Sequence, residues 1–445
     1  MITLVFPNRA RDELRAALWE DNLESAAILL CVPVRLAGSD SWRLLVKEVH
    51  IAGPSDYEER TAASVRLTAA FGLPFERKAR ENRWSLIYCH THPHQRGEAR
   101  FSSVDDKTEI ALSQYAGSRS PGVPHCALLF AVDSLAARQL GQSEPIRVMQ
   151  VGSTISEEAG SILGETRPVF DRQVRAFGVE GQQRVEAARI AVVGLGGTGS
   201  VVTQQLAHLG AARFVLIDHD VVEETNLNRT VGTVPRDVGQ PKVKVAERMI
   251  KAIRPNSEVS TIVGDIVDQA PARALLDADF IFCCTDSQAS RHLINQLVYQ
   301  YEIPAIDMGV AIHVVAEEPV RFAGHVKALA PGLACLWCLN HINPDQLRRE
   351  LMTEQQRAVD PYFNSSQGIV QPAVITLNST VASLAGTMFL SMVAGVNAPA
   401  RYLVYDGNRQ RVAAVDAVPI PTCSFCGPDS TAGAGDTAPL PVRLK

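Results

Sequence analysis

Apolar residues in this chain gather in short runs broken by polar turns, with stretches of helical period between them. Residues 12–22 have a helical spacing and lead into a strand-like run, 26–34. Trp42–Ile51 reads as the next strand, 58–71 as a helix, and 84–89 and 126–132 as buried strands. Residues 152–168 are richer in Gly, Ser and Glu and only weakly periodic, which places a domain boundary there. Beyond it, 169–186 is amphipathic. The apolar strand 190–193 then runs into Gly194-Leu-Gly196-Gly197-Thr-Gly199 and a helix over 200–209. Residues 214–217 and 280–284 are further buried strands and 401–406 another. The segment 372–395 is helical and apolar but too short and interrupted to span a bilayer. The expected division is 1–155, 156–428 and a Gly/Ala/Pro-rich flexible tail, 429–445. There is no internal repeat.

Composition narrows the class. The 445 residues are 46% hydrophobic and 20% charged, as in a soluble globular protein rather than a disordered one, and the length suggests two or three domains. A formal charge of −5 leaves no electrostatic footprint for nucleic acid or an anionic membrane. No apolar run reaches the roughly 18 residues of a spanning helix and the first residues lack a secretory pattern, so the expected compartment is the cytoplasm. Four of the nine cysteines form two CxxC pairs, which in a reducing compartment suggests metal before disulfide.

The candidate chemistry of the first half starts at His90-Thr-His92-Pro93. Histidines at i and i+2 of an extended segment point to one side, and Asp105 follows thirteen residues later at the start of an expected helix. Three such ligands with one open position suit a catalytic zinc; exposed loop histidines are the plain alternative. Together with Ser102-Ser-Val-Asp105, these residues resemble the JAMM/MPN (JAB) metalloisopeptidase family. The resemblance implies zinc on His90, His92 and Asp105, an oxyanion-stabilising Ser102, and Glu24 as general base, with Glu48 as a rival for that place. It also implies an α+β domain with a mixed sheet and flanking helices. Nine residues separate His92 from Ser102, two more than the family usually has. Cys31 and Cys89 read as core.

In the second half the glycine turn alone fits many nucleotide folds. Asp218 and Asp220, about 20 residues on, suit ribose hydroxyls in an NAD or an ATP site. The set Asn226, Arg229, Gln240 and Lys242 supplies cations that nucleotidyl transfer needs and hydride transfer does not. Asp286, at the carboxyl end of a buried strand, suits Mg²⁺. This set resembles the ThiF/MoeB and ubiquitin-activating adenylyltransferases over about 169–426. The resemblance implies a Rossmann-like doubly wound domain, with Gly194, Gly196, Gly197 and Gly199 cradling phosphate and Asp218 holding ribose. It further implies Asn226, Arg229 and Lys242 on the triphosphate, Asp286 on Mg²⁺, and a homodimer in which Arg172 reaches the partner's site. Cys335-Leu-Trp-Cys338 and Cys423-Ser-Phe-Cys426, some 85 residues apart, suit a closed Cys₄ structural zinc; Cys283 and Cys284 read as core.

The expected protein therefore uses ATP, Mg²⁺ and two zinc ions. It adenylates the C-terminal glycine of a small ubiquitin-like or sulfur-carrier β-grasp protein and processes or removes that protein at the zinc centre, with a conjugating-enzyme-like partner. No cysteine lies between Cys338 and Cys423, where many ubiquitin-activating relatives carry a nucleophile. The acyl group is therefore expected to pass to a separate carrier, or to Ser365 or Ser366 as an oxyester. Sulfur-carrier activation for cofactor or cysteine synthesis, an NAD-dependent oxidoreductase and a non-catalytic scaffold are the other readings.

Overall fold

The computed structural model of the chain describes residues 1–159, 167–315, 318–352 and 372–443. It forms two compact units. One is Met1–Ile162 with Gln300–Glu302 and Thr431–Pro439; the other is Leu163–Tyr299 with Ile303–Ser430 and Leu440–Lys445.

The first unit is an eight-stranded mixed sheet in the order β10-β9-β1-β3-β2-β6-β7-β8. Its strands are β1 (Ile2–Pro7), β2 (Ala26–Arg35), β3 (Trp42–Ile51), β6 (Ser85–His92), β7 (Cys126–Ala131), β8 (Leu135–Gln139), β9 (Arg147–Val151) and β10 (Ile155–Ala159). A small hairpin, β4 (Tyr57–Arg60) and β5 (Val65–Leu67), stands beside it. Helix α1 (Asn8–Leu18) packs Leu14 and Leu18 into a core with Leu4, Leu29 and Leu128. A second core holds Ala79 of α2 (Ala69–Asn82) and Ala116 of α3 (Ser103–Arg119) with Ile28, Leu30 and Leu86. Both faces of β2 are thus covered, which is why it reads as one continuous apolar run.

Several expectations change here. The helix expected at 12–22 starts at Asn8, directly after Pro7, which holds the extended conformation of an N-cap. The helix expected at 58–71 is instead the β4–β5 hairpin followed by α2. Its turn is closed by Thr61 N–H to the Ser64 carbonyl at 2.9 Å, and Glu24 N–H donates to the Thr61 carbonyl at 2.8 Å. The hairpin is held by distant partners rather than by its own pattern, so periodicity did not mark it. Strand β6 extends through His92, placing the histidine pair inside the strand. Residues expected to form a flexible tail carry contacts instead. Lys47 donates to the Ala432 carbonyl at 2.6 Å, and the Gln300 amide to those of Gly435 and Ala438 at 2.7 and 2.8 Å. A Cβ at Gly435 would lie within 2.9 Å of Val32 and Val34, so glycine lets this backbone lie on β2.

The second unit is an eight-stranded sheet in the order β13-β12-β11-β14-β15-β16-β17-β18. Strands β11 (Arg189–Val193), β12 (Arg213–Asp218), β13 (Glu258–Val263), β14 (Phe280–Cys283) and β15 (Ala305–His313) run parallel. Strands β16 (Arg321–Leu329), β17 (Tyr402–Asp406) and β18 (Arg411–Ala414) add antiparallel. The unit opens with α4 (Asp171–Ala187), which breaks at Phe177 and Gly178. Helices α5 (Gly197–Leu209), α6 (Lys242–Ile253), α7 (Gln269–Ala274) and α8 (Gln288–Tyr301) make the crossovers; α9 (Pro344–Leu351) and α10 (Ile375–Val393) follow. Strand order reverses between β11 and β14, so the glycine turn after β11 opens at the topological switch point, where open α/β sheets hold ligands. By length and composition α10 does suffice to cross a membrane, contrary to expectation. Half of its apolar window is buried inside the unit, however, where it packs on α5, β15 and β16. Ser365 and Ser366 lie outside the described residues.

Candidate functional site

The glycine turn is built by close backbone approach. Gly194 has φ +86°, and a Cβ there would come within 2.9 Å of the Cys284 carbonyl; a Cβ on Gly199 would sit 1.8 Å from the Gly194 carbonyl oxygen. Only glycine fits either place, and the turn leads straight into the first turn of α5, whose N–H groups have no intrahelical partner. Asp218, buried at the end of β12, accepts from Leu195 N–H at 2.6 Å and from Asp220 N–H at 2.8 Å. The carboxylate keeps further lone pairs for a ribose hydroxyl.

Lys242 opens α6, and its ammonium meets Asp220 at 2.7 Å. A ladder fixes it there: Val222 N–H to the Gln240 carbonyl and Gly239 N–H to the Val222 carbonyl, both 2.8 Å, and Lys242 N–H to the Asp220 carbonyl at 3.0 Å. Hydrogen bonds thus run from Lys242 through Asp220 and Asp218 to the glycine turn. Asn226 is buried and caps its own turn, its side-chain oxygen accepting from Glu223 N–H at 3.2 Å. Arg229 folds onto the Thr225 carbonyl, while Val231 N–H ties the same loop to the Ser200 hydroxyl of α5 at 2.9 Å. Cys284 N–H bonds the Val193 carbonyl at 2.8 Å, which holds the segment leading to Asp286 beside the turn. Asp286 is exposed, and Arg172 lies exposed on α4. Sequence reasoning did not find Asn378 of α10, whose side chain lies against Gly197; one asparagine in an apolar helix was the only signal.

The four CxxC sulfurs converge. Cys335 Sγ lies 3.7 Å from Cys338 Sγ and 3.5 Å from Cys423 Sγ, and Cys338 Sγ lies 3.4 Å from Cys426 Sγ. Tetrahedral zinc with Zn–S of about 2.3 Å requires about 3.8 Å, so the set fits a closed zinc site. Trp337 and Phe425, one inside each pair, stack at 5.4 Å and 6°.

In the first unit, His90 Nε2 lies 3.3 Å from Asp105 Oδ1, and His92 Nε2 lies 3.5 Å from Asp105 Oδ2 and 3.8 Å from Glu24 Oε1. His90 Nε2 is buried without a hydrogen-bond partner. Ligands at zinc distances of about 2.0–2.1 Å stand roughly 3.3–3.4 Å apart; these donors fit. The spacing of Ser102 and Asp105 is also a capping box. Ser102 N–H donates to Asp105 Oδ2 at 2.6 Å, and Asp105 N–H to the Ser102 hydroxyl oxygen at 3.2 Å, leaving the hydroxyl proton unassigned to the cap. Burial opposes the Asp105 charge, yet His90 and Ser102 hold its carboxyl well below the usual range. Burial pushes Glu24 up to about 7. Glu48 is elsewhere, paired with Lys78 at 2.5 Å and His50 at 3.0 Å. Arg60 of the unforeseen hairpin fixes the Glu24 segment. It donates to the Glu24 carbonyl at 3.1 Å and the Ser25 hydroxyl at 2.7 Å, and both its terminal nitrogens to Asp21 at 3.0 Å.

Among known proteins, the molybdopterin-synthase adenylyltransferase of Escherichia coli strain K12 is 27% identical over 265 residues, 58% of this chain and 95% of that one. The SAMP-activating enzyme E1 of Haloferax volcanii is 27% identical over 274 residues, 62% and 92% of the two chains. A crystal structure of E. coli MccB with ATP aligns at TM-score 0.48 and 21% identity, covering 59% of this chain and 75% of that one. The pattern of the ThiF family matches residues 170–425, and with more than half of its length inside that match the chain belongs to the ThiF family.

Proposed function

We propose that the second unit adenylates the C-terminal carboxylate of a small ubiquitin-like or sulfur-carrier protein. The hydrogen-bonded path from Lys242 to the glycine turn carries this reading, and the activities named for its relatives support it. A carboxylate oxygen of the carrier's terminal glycine attacks the α-phosphorus of ATP. The bond to the bridging oxygen breaks, and pyrophosphate leaves with that electron pair. The α5 N-terminus and glycine turn hold the phosphates, Lys242 and Arg229 neutralise charge on the departing group, and Asp218 orients the ribose. Asn226 and Gln240 shape the loops that carry these cations, and Asp220 holds the lysine ready. Magnesium, for which Asp286 is the proposed ligand, supplies charge neutralisation between phosphates when bound. Arg172 is proposed to serve the site of a second copy in a homodimer.

The test is exchange of labelled pyrophosphate into ATP with glycine-terminated carrier proteins. Lys242→Ala should lower exchange about 100- to 1000-fold, the size seen when one transition-state donor is lost. Absence of exchange, with reduction of a nicotinamide cofactor in its place, overturns the reading.

The donor spacing at His90, His92 and Asp105 favours a second activity in the first unit, that of a JAMM-type zinc isopeptidase on the same class of protein. Zinc, when bound, supplies Lewis acidity toward water and the scissile carbonyl. Glu24 accepts and returns a proton at its carboxylate, and the Ser102 hydroxyl donates to the developing oxyanion. Glu24→Gln should abolish cleavage of a linear carrier fusion while zinc content stays unchanged; full cleavage by this variant overturns the assignment. Without a thiol between Cys338 and Cys423, the adenylate passes directly to a separate acceptor or to a serine.

A further inference from the structure

Helix α10 carries one polar side chain whose surroundings do not account for it. Asn378, in the first turn of α10, is 4% exposed. Its amide fills the space where a side chain on Gly197 would stand, since a Cβ built there comes within 2.1 Å of Asn378 Nδ2. That nitrogen is buried and donates no hydrogen bond. An amide donor enclosed without an acceptor is costly, and an apolar residue of similar size would pack there without the cost. Gly197 is the first residue of α5, so the unused donor lies at a helix terminus whose own N–H groups have no intrahelical partner. The Leu195 N–H is already taken by Asp218, and the Gly194 N–H by the Ile217 carbonyl at 2.9 Å. What a cluster of donors of this kind lacks is an anion with several acceptor oxygens.

We propose that Asn378 donates its amide N–H to the phosphate chain of a nucleotide bound at the N-terminus of α5. Two helices then form the cradle. Helix α5 supplies backbone N–H groups, and α10, packed along it, supplies one side-chain donor from across the glycine turn. The glycine at 197 is required because the amide occupies the volume of its missing side chain. This inference rests on the reading of the glycine turn as an ATP phosphate site.

Equilibrium binding of ATP and of adenosine, the latter by competition, to the full-length protein tests it. A hydrogen bond to a charged phosphate corresponds to roughly 10- to 100-fold in affinity. Asn378→Ala should weaken ATP by that factor and leave adenosine within about twofold. Asn378→Asp, which sets a carboxylate against phosphate, should weaken ATP further. Asn378→Leu should lose ATP as the alanine variant does while melting no lower than the unsubstituted protein, which separates the donor from its packing. Unchanged ATP binding in Asn378→Asp, or an equal loss of ATP and adenosine, overturns the proposal. If the unsubstituted protein binds adenosine but gains nothing from the phosphates of ATP, the phosphate-site reading fails with it.

Discussion

Lys327 is fully buried on β16, its ammonium without a hydrogen-bond acceptor. It stands in register between Asp307 of β15 and Tyr402 of β17. Asp307 is already engaged by Arg291 at 3.1 Å and His325 at 2.9 Å, and His341 reaches the Tyr402 hydroxyl at 3.2 Å. Burial pushes the Lys327 ammonium down to about 7; Asp307 acts against that shift and Arg291 adds to it. In the unfolded chain a lysine holds its proton to about 10.4. Between pH 7 and 10 the unfolded state therefore binds more protons, and this residue makes stability rise with pH across that window. Lys327→Met should flatten the rise and leave the melting temperature at pH 7 unchanged or higher, measured by thermal melts across the range. An undiminished slope in the variant sinks this assignment. No sequence pattern announced the cluster: the six residues come from three strands, a helix and the segment around His341, and the sheet register sets Asp307, Lys327 and Tyr402 side by side.

At the scale of elements, the two CxxC pairs are joined by their geometry and by the ring stack between them, with Trp337 also donating to His292 Nδ1 at 3.1 Å. Metal bound here ties the segment after β16 to the segment after β18, so its binding free energy adds to folding. Cys338→Ser should lower the melting temperature by several degrees and remove one zinc per chain. His92→Ala should also remove one zinc but leave pyrophosphate exchange as it was. Zinc measured by emission spectroscopy beside the melts checks both; a loss of exchange in His92→Ala would falsify the independence of the two centres. The CxxC pairs were legible because a two-residue spacing is a local constraint on ligand geometry. The β4–β5 hairpin was not, since its stability comes from Arg60 reaching Asp21 and Ser25. Its sequence mixes charged and apolar residues with neither helical nor strand period.

For the whole molecule, the two clusters of candidate residues stand on two compact units, and each is set by its sheet. In one, β2 and β6 pair so that Ala26 faces His90, which brings Glu24, two residues before, to the histidines at the strand's other end. In the other, the crossovers around β11 open the switch point at the glycine turn. The sequence by itself determined what depends on neighbours in the chain: the His-x-His pair, the glycine turn, the CxxC pairs and the apolar runs of the central strands. Each is fixed by backbone period or by a glycine that no other residue replaces. Tertiary structure alone decided which distant residues meet: Arg60 with Glu24, Asn378 with Gly197, Lys327 with Asp307, and residues 431–439 with β2. Those contacts join positions far apart in the chain, and no local spacing records them.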